Sequence, residues 1–171
     1  MGLNDLPSVS PLPNANLVLV FGSIKRFNDA KLPSTLKNRY PTAQIIGCTT
    51  AGEISPKGVF DESLQITAIL WEKTMQRVAS VRMSDMQNSF ETGADIAKQL
   101  KADSLRTVLL FSDGLKVNGS ELLGGFQSVL GEIPIVGGMA GDGAAFVKTL
   151  QLFNETVNDG MIIAIGLYGN N

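Results

Sequence analysis

The chain has no histidine in its 171 residues. That excludes Ser-His-Asp and Cys-His catalysis and removes the imidazole on which ordinary zinc sites rely. Cysteine is nearly absent too. Cys48 stands alone, so no internal disulfide can form, and a reducing compartment is the natural setting. Charge is sparse at 18% of residues, against about 25% in an average globular domain, which suggests much buried strand or a covered surface. The net charge of −2 offers no basic footprint for nucleic acid or an anionic membrane. Long apolar runs are also missing. Leu17–Phe21 and Met161–Ile165 are the longest, far below the ~20 residues a membrane helix needs. The opening Met-Gly-Leu-Asn-Asp-Leu has no basic region followed by an apolar stretch, and no Ser or Thr at position 6. A signal peptide and myristoylation are therefore not expected. Neither G-x-x-x-x-G-K-[ST] nor G-x-G-x-x-G occurs, so phosphate-loop and Rossmann readings have no support.

What is present is a regular alternation of apolar strands and amphipathic helices. Residues 1–16, with Pro7, Pro11 and Pro13, read as a loose lead-in to one domain over 17–171. Leu17–Phe21 is a continuous apolar strand ended by Gly22 and Ser23. A helix is expected over Ala30–Tyr40, with Asp29 as N-cap and Leu32, Leu36 and Tyr40 at a spacing of four. Ala43–Ile46 follows as a strand. Ile54–Phe60 carries a turn at Pro56 and Gly58. Leu64–Trp71 and Arg77–Met83 alternate as strands and are expected to pair as an antiparallel hairpin. Ser89–Asp103 is the clearest helix, with Ser89 as its N-cap and Phe90, Ala94, Ala97 and Leu100 as its apolar face. Thr107–Phe111 is again an apolar strand. A helix over Gly119–Leu130 turns Leu122, Leu123, Phe126 and Val129 inward, and Pro134–Val136, Ala145–Phe153 and Gly160–Tyr168 are strands. The last strand stops just before Gly169-Asn170-Asn171. This fits either a natural end or a cut fragment of a longer protein, and a terminal apolar strand, which wants a neighbour, makes the fragment plausible.

One stretch organises the rest: Ile45-Ile46-Gly47-Cys48-Thr49-Thr50-Ala51-Gly52-Glu53. It reads as a strand end spilling into a glycine loop closed by a carboxylate, with main-chain N–H groups able to face a ligand. It returns as Ile135-Val136-Gly137-Gly138-Met139-Ala140-Gly141-Asp142, 90 residues later at Ile45 and at Gly47. With one residue dropped, Ala51-Gly52-Glu53 falls on Ala140-Gly141-Asp142. Leu17 and Thr107 open their strands at the same spacing of 90. The expected fold is therefore α/β (mixed α+β): internally duplicated β-α-β-loop-β units, with mixed sheets covered by helices. The halves span about 17–83 and 106–168.

The candidate site residues follow from the two loops. Gly47, Cys48, Thr49, Thr50, Gly52 and Glu53 supply one wall, and Gly138, Met139, Gly141 and Asp142 the other. Ser112 and Asp113 follow a buried strand, where α/β sheets present ligands; Asp113-Gly114 is equally a plain turn. Cys48 is a nucleophile only if something lowers its pKa. No histidine can act as base and Glu53 would raise it, so a buried small residue is the simpler reading. Glu53 and Asp142 could face one pocket, to take an ammonium group, a divalent cation or a glycosidic bond. Each could instead cap its own loop. Thr49, Thr50 and Met139 line the same wall or merely fill it.

These motifs carry a resemblance. Leu17–Phe21, then Gly47-Cys48-Thr49-Thr50-Ala51-Gly52-Glu53, then Gly137-Gly138-Met139-Ala140-Gly141-Asp142-Gly143, followed by a short strand and Asp159-Gly160, resemble the N-terminal part of the FIST sensory domain. The likeness runs from about Asn16 to Gly169. It implies a cytoplasmic sensory module of signal transduction that binds small ligands such as amino acids. It also implies a partner: a C-terminal FIST segment or a signalling output domain. No cofactor, metal or catalytic residue is expected. Two readings stand beside the sensor: a hydrolase or lyase using Cys48 or the Glu53/Asp142 pair, and a structural or protein-interaction module whose glycine loops are only tight turns.

Overall fold

Two apolar strands pair in parallel, and the chain does this twice. The computed structural model describes residues 12–55 and 58–169; most of the expected lead-in and Pro56 of the expected turn lie outside them. In chain order come β1 (Leu17–Gly22), α1 (Ile24–Phe27), α2 (Leu32–Arg39), β2 (Gln44–Thr49), β3 (Glu53–Ser55), β4 (Gly58–Phe60) and β5 (Leu64–Ile69). Then follow β6 (Met75–Arg82), α3 (Ser89–Leu100), β7 (Leu105–Ser112), α4 (Gly119–Leu130) and β8 (Ile135–Met139). The last three are β9 (Gln151–Phe153), β10 (Thr156–Asn158) and β11 (Met161–Tyr168). The class is mixed α+β, as expected. Among the described residues no helix is long and apolar enough to cross a membrane.

The elements gather into two units. The first holds the chain up to Trp71 together with Ala140–Asn158. Its sheet has the order β10-β9-β2-β1-β5. β1 and β2 are parallel, which requires a crossover, and the α1–α2 segment supplies it. β5 and β9 run antiparallel to β1 and β2. Leu32, Leu36 and Tyr40 are buried among Val18, Val20, Ile45 and Leu152. The spacing of four in α2 is thus its core face. Its start differs from expectation. Lys31 occupies the cap position with no side-chain bond, and Asp29 instead accepts from the Lys31 N–H at 2.9 Å, in the turn before the helix. The one-turn α1 was not foreseen; Ser23 caps it by accepting from the Arg26 N–H.

The second unit holds Glu72–Met139 and the chain from Asp159 onward. Its sheet has the order β6-β11-β7-β8, with β7 and β8 parallel and β11 antiparallel to both its neighbours. The strand expected to lack a neighbour therefore lies inside a sheet. Leu64–Trp71 and Arg77–Met83 are not a hairpin: β5 adds to β1, while β6 adds to β11 in the other sheet. Alternation specifies a half-buried strand but not its partner, and here the partner lies far along the chain. α3 and α4 pack with almost no side chain between them. A Cβ on Gly125 would stand 2.0 Å from the Phe90 carbonyl oxygen. Asn88, not Ser89, is the cap of α3, in the left-handed region at φ 63°. Ser89 donates to the Met86 carbonyl and accepts from the Asn118 N–H, so it ties the starts of α3 and α4 together. Phe90 and Leu123, expected inside, lie exposed at the rim; Leu122, Phe126, Ala97 and Leu100 form the core.

The duplication is visible as register. Val18 pairs with Ile45 and, 90 residues on, Val108 pairs with Ile135. Beyond β2 and β8 the spacing becomes 98: Val20 pairs with Ile66, and Leu110 with Ala164. The second half has a longer loop, residues 140–150, ahead of its hairpin. Of the strand expected from Ala145, only Gln151–Phe153 forms. Both parallel pairs need a glycine at one position. A Cβ on Gly47 would stand 2.0 Å from the Val20 carbonyl oxygen, and one on Gly137 1.8 Å from that of Leu110. Nothing lies within 4 Å of a Cβ added to Gly138. Gly47→Ala and Gly137→Ala should each lower stability by about 2 kcal/mol or more, whereas Gly138→Ala should stay within about 0.5 kcal/mol. Chemical denaturation of the three variants checks this.

Asp159, at the start of the last strand, accepts from Lys116 at 2.8 Å and from Arg82 at 2.5 Å. The Lys116 bond first, and then that of Arg82, hold its carboxyl at about 2, below the ordinary 3.8. A carboxylate whose pKa falls on folding adds stability above its unfolded pKa and loses it as pH falls through the folded one. The wild type should therefore lose stability more steeply than Asp159→Asn between about pH 4 and pH 2. Melting temperatures across that range would show parallel curves if the ion pairs contribute nothing.

Candidate functional site

β2 runs further than its sequence suggests. Gly47, Cys48 and Thr49 belong to the strand and are buried, so the glycine loop shrinks to residues 50–52. The reason is cover. β9 pairs along the outer edge of β2, with Gly47 opposite Leu152 and Cys48 opposite Gln151. Gly47 is therefore a packing glycine and not a ligand-facing one. Burial pushes the Cys48 thiol up to about 12, so the thiolate is scarce at neutral pH. Thr49 accepts the Leu150 N–H on its hydroxyl at 3.1 Å and donates its own N–H to the Leu150 carbonyl at 2.9 Å.

At the end of β2 the two glycine loops meet within the first unit. The Gly141 N–H donates to the Thr49 carbonyl at 2.9 Å, and Gly141 lies against the Ala51 backbone so closely that an added Cβ would stand 3.3 Å from its nitrogen. The Thr50 N–H donates to the Gly22 carbonyl at 3.0 Å. Around these bonds lies a cavity of about 220 Å³. Thr50, Gly52 and Glu53 line it from one loop, Asp142 and Gly143 from the other, Ser23 and Lys25 from the start of α1, and Asp61 and Glu62 from the turn before β5.

Both closing carboxylates line this cavity, and both already hold the loops together. Glu53 is buried; it accepts the Thr50 hydroxyl at 2.5 Å and the Ser63 N–H and hydroxyl at 3.0 and 2.5 Å. Asp142 accepts the N–H groups of Phe146, Val147 and Lys148 at 2.7–3.0 Å. These bonds, that of Lys148 first, hold its carboxyl below the usual range. A carboxylate offers about four acceptor positions, so each retains room for a further donor. The geometric basis of the pairing is not the one read from sequence. In the register of the strands Glu53 corresponds to Gln151, 98 residues on. Asp142 caps the long second loop. Among the described residues Lys25 adds the one positive charge of the cavity wall; it pairs with Glu62 at 2.8 Å, which holds the Glu62 carboxyl low.

The remaining expected residues go elsewhere. Ser112, Gly138 and Met139 line a larger, mainly apolar cavity of about 350 Å³ in the second unit, with Leu110, Leu122 and Ile135. Asp113 is buried and shapes its turn: it accepts the N–H groups of Leu115, Lys116 and Gly160 at 2.8 Å each. Sequence reasoning missed Ser23, Lys25, Asp61, Glu62 and Ser63. Ser23 had a signal, as the polar residue ending the first strand; for the charged residues nothing local distinguishes a cavity wall from an ordinary turn. Among the described residues no group of three or more His, Cys, Asp or Glu could hold a metal ion.

A search of the curated proteins finds no match to the chain. The family model of the FIST N domain matches residues 16–171, nearly the whole chain. The motifs at Gly47–Glu53 and Gly137–Gly143, and the sheets they end, are thus those of a chain that belongs to the FIST N domain family of sensory domains.

Proposed function

We propose that this domain senses a small zwitterionic metabolite, with an amino acid as the chemical type, in the cavity where the loops at 50–53 and 140–143 meet. The observation that carries the reading is the bond from the Gly141 N–H to the Thr49 carbonyl. It joins two polar loops around a space of about 220 Å³, which suits a molecule of amino-acid size. The wall has both signs of charge. Lys25 can take a carboxylate, and the remaining acceptor positions of Glu53 and Asp142 can take an ammonium group. Closure of the longer loop over the ligand would then pass the signal to an output domain or a C-terminal FIST segment in the cytoplasm.

The alternative is an enzyme. A buried thiol with its pKa raised to about 12 and no histidine in the chain weigh against a cysteine nucleophile. Two carboxylates each already held by three loop hydrogen bonds weigh against acid–base work, which needs a proton free to move.

A thermal-shift screen with the amino acids tests the proposal. A ligand that binds only the folded chain should raise the melting temperature in proportion to the logarithm of its concentration. Lys25→Ala, at an exposed position, should weaken that binding about tenfold while leaving the fold intact. If no amino acid or related metabolite shifts the transition, the sensor reading fails. Cys48 gives a separate check. The native chain should resist thiol alkylation at neutral pH and react fully once unfolded, and Cys48→Ala should leave ligand binding unchanged. Rapid native labelling would revive the nucleophile.

A further inference from the structure

The duplicated halves differ in how their hairpins lie: the hairpin of the second half is seated and that of the first is not. β9–β10 pairs Leu152 with Val157, and β3–β4 pairs Ile54 with Val59. At the spacing of 98, Ile54 corresponds to Leu152 and Val59 to Val157. Leu152 is fully buried, opposite Gly47 on the edge of β2, and Val157 packs against the same core. Ile54 is 82% exposed and Val59 70%. Isoleucine and valine at matching positions of a hairpin read as a packing face with nothing to pack on.

The matching edge is also open. β8, the counterpart of β2, is the last strand of its sheet, and among the described residues no strand pairs with its outer edge. Val136, Gly137, Gly138 and Met139 are exposed. Within Ile135–Met139 this edge carries no lysine, no proline and no bulge, and Pro134 stands just before it. Beside it, the counterparts of residues that surround Leu152 line a cavity. Val20, Leu32 and Ile45 belong to the core that holds Leu152. Their counterparts Leu110, Leu122 and Ile135, 90 residues on, line the open apolar cavity of about 350 Å³. In the first half a leucine fills this socket; in the second half the socket is vacant.

We propose that the β3–β4 hairpin of a second copy of this chain adds to the outer edge of β8, with Ile54 in the apolar cavity and Val59 packed behind it. The pairing that the chain makes internally sets the register. Ile46 lies opposite Phe153 and Gly47 opposite Leu152, so Val136 lies opposite Ser55 of the second copy, and Gly137 opposite its Ile54. Main-chain bonds supply the affinity and the alternate apolar side chains the specificity, as in strand addition generally.

Sedimentation equilibrium of the whole chain should show self-association that Ile54→Asp and Val136→Lys each weaken by at least about tenfold. Both positions are exposed, and unchanged circular dichroism would show that the variants fold. For the register, Ser55→Cys protein is mixed with Val136→Cys protein under mild oxidation. A disulfide-linked pair should form, and none should form when Ser55→Cys is mixed with Leu123→Cys. A wild type that is monomeric throughout the accessible concentration range overturns the proposal, as does self-association indifferent to both charged substitutions. A Ser55→Cys/Val136→Cys chain that links only within itself also overturns it.

Discussion

Two carbonyl groups dictate most of this architecture. The carbonyl of Val20 and that of Leu110 each stand where the Cβ of the neighbouring strand would have to be, so Gly47 and Gly137 are required. The consequence is closeness at the carboxyl ends of two parallel strand pairs. A β1–β2 pair held this tightly releases its chain abruptly after Thr49, and the loop that follows is only three residues long before β3 begins. Those residues turn with their main chain near the Gly22 carbonyl and the Gly141 N–H. The polar cavity is what remains at that turn. Gly47, read from the sequence as a ligand contact, therefore acts one step earlier: it sets the strand spacing beside the candidate site.

The carboxylates follow the same logic. A buried glutamate without partners would be costly. Glu53 avoids this with two hydroxyl donors and one N–H, and it fixes the loop to Ser63 in doing so. Asp142 has a different task, because the second loop is longer and must be folded on itself; three consecutive N–H groups converge on it. These structural bonds do not compete with the binding role proposed for the carboxylates. A carboxylate already fixed by three donors is preorganised, and its remaining acceptor position points where the loop geometry aims it.

Much of the fold was legible because local pattern and global register agree. The apolar runs at Leu17 and Thr107 were strands, the spacing of four at Leu32, Leu36 and Tyr40 was a core face, and α4 formed over Gly119–Leu130. The 90-residue echo located both parallel pairs. Pairing across distance was not legible. β5 and β6 adjoin in sequence and alternate cleanly, yet each belongs to a different sheet. The site was half legible. Thr50, Gly52, Glu53, Gly141 and Asp142 come together, whereas Gly138 and Met139 from the same echo line another cavity. The break falls between Met139 and Ala140, where the chain passes from one unit to the other. No residue there announces it in the sequence.

Duplication explains why that passage occurs. A β-α-β unit buries one face under its helix but leaves the outer edge of its second strand unpaired. In the first half that edge is β2, and it is covered by β9–β10, a hairpin encoded more than 100 residues later. Exchange of hairpins between repeats thus couples the halves, and burial follows coupling: β2 is almost wholly buried, whereas β8, its counterpart in register and in glycine requirement, is mostly exposed. Sequence alone would make the two strands alike, since each carries a β-branched run leading into the required glycine. The difference in exposure comes from which edge has received a hairpin. Among the described residues the outer edge of β8 is left without a strand and the apolar face of β3–β4 is left exposed. The proposed second copy would match one with the other.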